Sequence, residues 1–290
     1  MKESYAFAFR TERTNYDEAS DVYKRQLLYD ARGFAAPLLR FMIENQVEAM
    51  VASPVQALTL SRLATPAQRA AIPLKSILLS VDYAADSLLA ALRQLWQADI
   101  FQHYGMTEMG LGGGVDCAAH CGYHLREADL YFEIINPING QPIQDETEGE
   151  IVFSTLTRQA MPLLRYRTGD TGHWQKGPCP CGSDLRLLAK VGKRQQGVYQ
   201  LPNGSLDITQ TDEVLFAFPE VYDYQLTLKE DGIALMLACT SPPDKMALQQ
   251  ALATIPALSG SPITFSLVKP GYLPSLAKRK FINTRKESLS

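Results

Sequence analysis

Apolar residues between positions 35 and 101 recur in alternating helical and strand-like runs. The runs 38–43 and 88–95 place leucines on one face of a helix, and Pro54 stands where a proline opens one. Shorter apolar runs predict strands at 47–52, 76–81 and 99–101. Strands that alternate with helices favour an α/β fold, with a parallel sheet and helices packed against it.

After Gly110 the pattern changes to short strands, with runs 130–135 and 150–154 flanking a turn that contains Asn139 and Gly140. Runs 163–167 and 185–191 predict two more strands in this β-rich part. From about Lys193 the pattern indicates a small α+β unit. Its predicted elements are helices at 212–218 and 244–255 and strands at 222–228, 233–239 and 263–268.

These changes of pattern divide the chain into three segments. Residues 1–26 are polar, mixed in charge and without periodicity, so we interpret them as a leader that is disordered or foreign to the rest. Residues 27–192 are predicted to form part of a large domain. Residues 193–290 are predicted to form a small, mobile α+β domain that ends in a basic tail.

Composition narrows the class of protein. Hydrophobic residues make up 46% and charged residues 20%, as in ordinary globular proteins. A net charge of −3 gives no general attraction to nucleic acid or anionic lipid. No apolar run approaches the roughly 20 residues that span a bilayer, and the start does not resemble a signal peptide. We expect a cytoplasmic location. The sequence does not determine the oligomeric state, and a homodimer is one of the alternatives.

The first group of residues with chemical potential is segment 103–108, HYGMTE, at the end of a predicted strand. Ligands of open α/β sheets bind at that edge. The Tyr104 ring can stack on a base, the Thr107 hydroxyl can bind phosphate, and the Glu108 carboxylate can hold Mg²⁺. The alternative is a tight turn that leads into the glycine-rich loop 110–114.

A second group is segment 165–170, RYRTGD, which places Asp170 just after a predicted strand. A carboxylate there can accept both hydroxyls of a ribose. The alternative is a turn or capping aspartate, which is the commoner role of Asp after Gly.

Segments 104–108 and 166–170 together resemble two signature motifs of adenylate-forming enzymes, the AMP-binding acyl-CoA synthetase superfamily. Segments 124–127 (HLRE), 133–137 (EIINP) and 155–167 narrow the resemblance to the phenylacetate–CoA ligase-like branch. The resemblance covers about position 27 to the end. It implies an incomplete large adenylate-forming domain followed by a small carboxyl-terminal domain.

The resemblance also implies a nucleotide site. In that family a tyrosine stacks on adenine, a hydroxyl binds phosphate, a carboxylate holds Mg²⁺ and an aspartate binds ribose. The residues of this chain that match or adjoin those positions are Ser80, Asp82, Tyr104, Gly105, Thr107, Glu108, Asp170 and Lys193.

The family's catalytic lysine falls on Lys278, with Lys280 as the alternative, because Ala277 stands where the family has glycine. A solvated basic tail is the competing interpretation. The hinge segment 192–196, GKRQQ, has glutamines where the family has acidic residues. No phosphate loop precedes Ser80, so we expect that an amino-terminal part carrying it has been lost.

The chain has five cysteines, and four of them form two close pairs, at 117 and 121 and at 179 and 181. Such clustering favours a metal over disulfides in a cytosolic protein. Cys117, His124, Cys179 and Cys181 supply four ligands for a structural Zn²⁺, and relatives in the resembled branch often carry such residues. Spacing does not exclude Cys121 or His120 as a ligand, and unliganded thiols are the alternative. Cys239 lies in an apolar strand and is interpreted as a core residue.

The resemblance implies an ATP-dependent acid–CoA ligase that adenylates an aryl or small organic acid and then forms a thioester with CoA. The catalytic residues would be Thr107, Glu108 and Lys278, with Mg²⁺ bound alongside ATP. Because the phosphate loop is missing, we expect impaired turnover. The competing hypothesis is a non-catalytic, zinc-stabilised remnant or a partner-binding subunit of the same fold.

Overall fold

The computed structural model describes residues 35–110, 112–191, 197–268 and 281–285, together with the backbone of 5–9, 27–30 and 193–194. The chain forms two compact units. The first unit joins Met1–Ile100 with Gly197–Ser290, and the second unit is Phe101–Gln196. The predicted leader contains a strand at Tyr5–Phe9, and its other residues lie outside the described part. The predicted division at 27–192 and 193–290 stays a prediction.

The amino-terminal half of the first unit has the predicted alternation of strands and helices. Strand β3 is parallel to β4, and β1 pairs antiparallel with both β2 and β3. Ser53 and Thr65 begin their helices with capping boxes, each followed by a proline in the first turn. The elements are β1 (Tyr5–Phe9), β2 (Leu27–Asp30), α1 (Ala35–Glu44), β3 (Ala49–Ala52), α2 (Pro54–Leu63), α3 (Pro66–Ala71), β4 (Ser76–Leu79) and α4 (Asp86–Trp96).

Strand β5 (Asp99–Tyr104) begins in the first unit and continues into the second. Its first amide, from Asp99, donates to the Lys75 carbonyl just before β4. The amino-terminal half of this unit therefore has the α/β character that the sequence predicts.

The carboxyl-terminal half of the first unit is the predicted α+β part. Its four-stranded sheet has the order β18-β17-β16-β19, with β16 antiparallel to β17 and both outer strands parallel to their neighbours. The elements are β14 (Tyr199–Leu201), β15 (Gly204–Leu206), α5 (Ile208–Phe216), β16 (Val221–Lys229), β17 (Gly232–Cys239), α6 (Lys245–Ala253), β18 (Ile263–Val268) and β19 (Ile282–Asn283).

The two halves of the first unit share one apolar core, to which both the 38–100 and the 206–281 stretches contribute. Helix α4 has no capping side chain of its own. Glu213 of α5 supplies the cap instead, since its carboxylate accepts from the Asp86 and Ser87 amides at 2.7 and 3.0 Å. Arg62 of α2 donates to the Phe216 carbonyl at the end of α5, at 2.7 Å. Polar contacts thus fix the register of this shared core.

The second unit is antiparallel β structure around a separate apolar cluster. Its five-stranded sheet has the order β13-β11-β10-β8-β9, and the end of β5 continues through β6 and β7 to β12. The elements are β6 (Gly114–Val115), β7 (Tyr123–Leu125), β8 (Leu130–Ile135), β9 (Pro142–Ile143), β10 (Gly149–Thr155), β11 (Tyr166–Gly172), β12 (Leu187–Leu188) and β13 (Lys193–Arg194).

Two strand predictions in this unit are wrong in their bounds. The strand predicted at 163–167 runs instead from Tyr166 to Gly172, because Arg165 has a left-handed φ of 48°, which interrupts the extended backbone just before Tyr166. The strand predicted at 185–191 shortens to Leu187–Leu188, which pairs with only two residues of β7. Within the described ranges, no helix has the length and apolar character needed to cross a bilayer.

Candidate functional site

Tyr104 and Asp170 meet inside the second unit. Tyr104 ends β5, Asp170 lies in β11, and the tyrosine hydroxyl donates to Asp170 Oδ2 at 3.0 Å. Both are buried, at 8% and 5% exposure, and the Tyr104 ring lies against that of Tyr123 with centroids 6.3 Å apart. An aromatic face and a carboxylate 66 residues apart in sequence are therefore neighbours, although their roles stay predictions.

A bulge in β11 sets the position of Asp170. The pairing of β11 with β10 shifts register between Glu150 and Val152, which leaves the residues around Gly169 looped out of the ladder. The Thr168 hydroxyl donates to the Ile151 carbonyl at 2.7 Å and accepts from the Asp170 amide at 3.1 Å. Gly169 has a φ of 74°, which favours glycine at this point.

The second unit also contains Glu150, a contributor that sequence reasoning missed. Its buried carboxylate pairs with Arg167 and accepts from the Gly169 amide at 3.3 Å, so it holds the bulge from the adjacent strand. The sequence pattern places Glu150 only at the start of the predicted strand 150–154. A buried acid next to a glycine-containing bulge is a tertiary feature that local pattern does not reveal.

Thr107 and Glu108 lie in a single 3₁₀ turn, Thr107–Met109, just after β5. Thr107 is exposed and Glu108 is half-buried. Gly105 lets the chain pass close to the glycine-rich loop, since a Cβ there would lie 3.0 Å from Gly112 Cα. The hydroxyl and the carboxylate that were predicted to bind phosphate and Mg²⁺ thus follow Tyr104 directly.

Two titratable side chains beside Tyr104 have pKa values displaced by burial. Desolvation lowers the pKa of His103. Desolvation, with a smaller contribution from the charge of Asp116, raises the pKa of Tyr123. Burial therefore favours the uncharged form of both side chains.

Ser80 and Asp82, predicted for the adenine-side loop, lie in the first unit between β4 and α4. The Ser80 amide donates to the Ala52 carbonyl at 3.0 Å, which continues the β3–β4 ladder by one residue. Val81 between them has a φ of 81°, a strained angle for a β-branched residue. Such strain is found at functional loops. The adenine-side role of residues 80–82 stays a prediction.

The predicted hinge segment contributes a short strand beside Asp170. The backbone of β13 pairs with β11, with Arg194 opposite Asp170 and Lys193 opposite Thr171. This register places the Lys193 main chain beside the strand that carries Asp170. The predicted catalytic residues Lys278 and Lys280 both lie outside the described residues.

The structure brings Cys117, His124, Cys179 and Cys181 together in the second unit, with all four ligand atoms within 4.8 Å of one another. Cys117 Sγ lies 3.5 Å from Cys179 Sγ, and His124 Nε2 lies 3.3 Å from Cys181 Sγ. Bond lengths of about 2.0–2.3 Å in a tetrahedral site imply ligand separations of about 3.3–3.8 Å. The residues therefore fit a closed zinc site.

The competing ligands have other partners. His120 Nδ1 lies 2.7 Å from an Asp116 carboxylate oxygen, and the Cys121 thiol donates to the Ala119 carbonyl at 3.3 Å. Neither belongs to the four-residue group. The geometry thus favours Cys117, His124, Cys179 and Cys181 over the two alternatives, and the zinc itself stays a prediction.

The bulge in β11 depends on the left-handed φ of Gly169. Gly169→Ala is expected to cost about 1–2 kcal/mol of folding free energy, since an alanine at a φ of 74° is strained although nothing lies within 4 Å of its Cβ. Gly177→Ala is a matched control, with a φ of 79° and equally open surroundings. Urea denaturation should show similar losses for both variants, whereas calorimetry should show weaker AMP binding only for Gly169→Ala. Equal AMP binding by the two variants would contradict a role for the bulge.

Comparison with known proteins gives related sequences. The chain is 34% identical over 133 residues to the phenylacetate–coenzyme A ligase of Thermus thermophilus, covering 44% of this chain and 30% of that protein. It is 33% identical over 157 residues to the Aromatoleum evansii enzyme of the same name, covering 52% and 35%. The matched part thus spans about a third of the length of these relatives. No family model matches the chain.

Solved structures give the fold. A 2-hydroxyisobutyryl-CoA ligase in complex with an acyl-AMP aligns with a TM-score of 0.72 at 17% identity, over 87% of this chain and 58% of that one. The anthranilate–CoA ligase AuaEII, in complex with anthranoyl-AMP, aligns with a TM-score of 0.63 at 13% identity, over 88% and 51%. The sequence expectations of an α/β fold and of this family resemblance are confirmed. This chain is related to the phenylacetate–coenzyme A ligases and, over the residues that match, has the fold of adenylate-forming CoA ligases.

Proposed function

We propose that this protein functions as an AMP-forming acid–CoA ligase, in which a carboxylate attacks the α-phosphorus of ATP to give an acyl-adenylate and pyrophosphate. A thiol of CoA then displaces AMP. The observation that carries the proposal is the contact between Tyr104 and Asp170, since a ring and a carboxylate side by side suit an adenosine. The names of the related proteins favour an aryl or small organic acid as the substrate.

Each residue then has a defined part in the site. Tyr104 offers its ring to adenine, Asp170 accepts the ribose hydroxyls, and Thr107 binds phosphate. Glu108 would hold Mg²⁺, which when bound offsets the charge of the phosphates. Lys278 would place its ammonium group beside the substrate carboxylate and the α-phosphate of ATP, and so reduce the repulsion between these two anions.

The supporting residues have smaller parts in the proposal. Gly105 allows the close turn after Tyr104. Lys193, whose main chain pairs with the strand that carries Asp170, would meet the ribose or phosphate. The adenine-side role of Ser80 and Asp82 stays a prediction from the family resemblance. ATP and CoA as cosubstrates fit a cytoplasmic enzyme.

The cysteine and histidine group would hold a structural Zn²⁺. Four protein ligands leave no open position, so the ion would not take part in the chemistry. It would join Cys117, after β6, and His124, in β7, to Cys179 and Cys181 in the loop before β12. Strand β6 pairs with β5, which ends at Tyr104, and the loop before β12 follows β11, which carries Asp170.

Calorimetric titration with AMP, followed by a pyrophosphate-release assay on aryl and short acyl acids with ATP, Mg²⁺ and CoA, tests the proposal. We expect weak but measurable AMP binding and pyrophosphate release that depends on the acid. The metal group is complete independently of the nucleotide residues, so a non-catalytic, zinc-stabilised protein is the second candidate. Stoichiometric zinc with no heat from AMP would favour that second candidate.

A further inference from the structure

Two arginines hold the main chain of the loop that carries Thr107 and Glu108. The 3₁₀ turn is closed by its own hydrogen bonds, from the Met109 amide to the Met106 carbonyl and from the Gly110 amide to the Thr107 carbonyl, both 3.0 Å. The carbonyls of Glu108, Met109 and Gly112 are bound by guanidinium groups instead. Neither arginine was assigned a role by sequence reasoning.

Arg126 reaches this loop from the segment after β7. Its guanidinium donates to the Met109 carbonyl at 2.7 Å and to the Gly112 carbonyl at 3.0 Å. The same group forms a two-pronged pair with Asp129, at 2.7 and 3.1 Å, which fixes its plane. One rigid fork thus holds two points of the loop.

Arg158 reaches the loop from beyond the end of β10. It donates to the Glu108 carbonyl at 2.7 Å. Its second terminal nitrogen lies close to Gly110, where a Cβ would stand 3.0 Å from it and the φ is 83°. The residue whose carboxylate was predicted to bind Mg²⁺ is therefore held by its own carbonyl.

A single 3₁₀ turn is a weak element, because it has few hydrogen bonds of poor geometry. Its last carbonyls carry partial negative charge, and two cations bound to them both neutralise that charge and fix the direction of each peptide. Met109 is fully buried and anchors the turn to the apolar cluster through its side chain. The arginines bind the peptide carbonyls of the same loop.

We infer that Arg126 and Arg158 are positioning residues that aim the Glu108 carboxylate at the metal–phosphate part of the nucleotide, and so govern how much Mg²⁺ strengthens ATP binding. The inference rests on the proposed function. The guanidinium groups bind carbonyls of residues 108, 109 and 112, which follow Tyr104 in the chain, so we expect the adenosine contacts to depend on the arginines less than the Glu108 contacts do.

The test compares AMP binding without metal and ATP binding with and without Mg²⁺, by calorimetry on the full chain. Arg126→Ala and Arg158→Ala are expected to bind AMP within about threefold of the wild type, since the adenosine contacts should depend less on the arginines. The gain in ATP affinity on adding Mg²⁺ should fall about tenfold in both. Arg126→Lys should recover part of that gain, because a lysine keeps the charge but not the fork.

Arg165→Ala is the matched control. This arginine also pairs with an acid, Glu133, and donates to a backbone carbonyl, that of Gly140, but on a different loop. It should keep the full effect of Mg²⁺. If Arg126→Ala does not fold, Asp129→Asn serves in its place, since it loosens the fork without removing a cation.

Equal weakening of AMP and of Mg²⁺–ATP binding in both arginine variants would show a general folding role and overturn the inference. An undiminished Mg²⁺ effect in folded variants would also overturn it, while leaving the nucleotide site intact. A wild type that does not bind AMP would overturn the proposed function itself, which separates the two failures.

Discussion

Cys179→Ser is expected to abolish zinc binding and to lower the free energy of unfolding by about 4 kcal/mol or more, an effect typical of the loss of a metal. Cys179 is the buried cysteine of the group, and its Sγ lies 3.5 Å from that of Cys117. Without the ion, no coordination bonds would join the Cys117 loop to the Cys179 loop. A small β unit has little apolar core to offset that loss. Elemental analysis of the purified chain and urea denaturation measure the two effects.

Cys121→Ser is the matched control for the metal. Cys121 is in the same loop as Cys117, but its thiol donates to the Ala119 carbonyl and lies outside the four-residue group. We expect this variant to keep one zinc per chain and nearly all of its stability. A wild type purified without zinc, or equal loss of metal from the two variants, would be incompatible with the assigned ligands.

Asp170→Ala is expected to weaken AMP binding about 100-fold, because two hydrogen bonds to a charged acceptor contribute about 3 kcal/mol together. The side chain is buried, so solvent would not replace it readily. Calorimetric titration of AMP into each variant gives the affinities, and thermal unfolding shows whether the variant is folded. Asp145→Ala, in an exposed turn, is the control and should bind AMP as the wild type does.

Tyr104→Phe separates the ring from the hydroxyl. It removes the 3.0 Å bond to Asp170 but leaves the aromatic face, so AMP affinity should fall by less than about tenfold. Tyr104→Ala removes the face as well and should cost about 1–3 kcal/mol more, the usual contribution of base stacking. If the two tyrosine variants bound AMP equally, the stacking role would be wrong.

The regular elements were predictable where local pattern and packing agree. Helix α4 and strand β18 follow their apolar spacing closely, and Pro54 does open α2 within a capping box. The bounds of β11 were missed because a left-handed Arg165 and the bulge at Gly169 are imposed by pairing with β10. Such features depend on tertiary partners rather than on periodicity.

The candidate site shows the same limit. Spacing identified six possible zinc ligands, but the choice among them depends on backbone direction. His120, at a φ of 51°, turns its ring to Asp116, whereas His124 in β7 directs Nε2 to Cys181. Arg126 and Arg158 bind carbonyls, which any residue can provide, so their partners could not be read from the motifs 124–127 and 155–167 in which they lie.

The shared core of the first unit has a consequence for biosynthesis. Leu58 and Leu92 belong to the same buried cluster as Leu215 and Leu235, yet the entire second unit is encoded between them. During synthesis, the apolar faces of α2 and α4 therefore stay uncovered until the second unit and the core residues after it have been translated. Contacts between residues so far apart in sequence slow folding and keep apolar surface exposed to solvent for longer. The second unit, whose partners are close in sequence, has no such delay and can form while the remainder is still being translated.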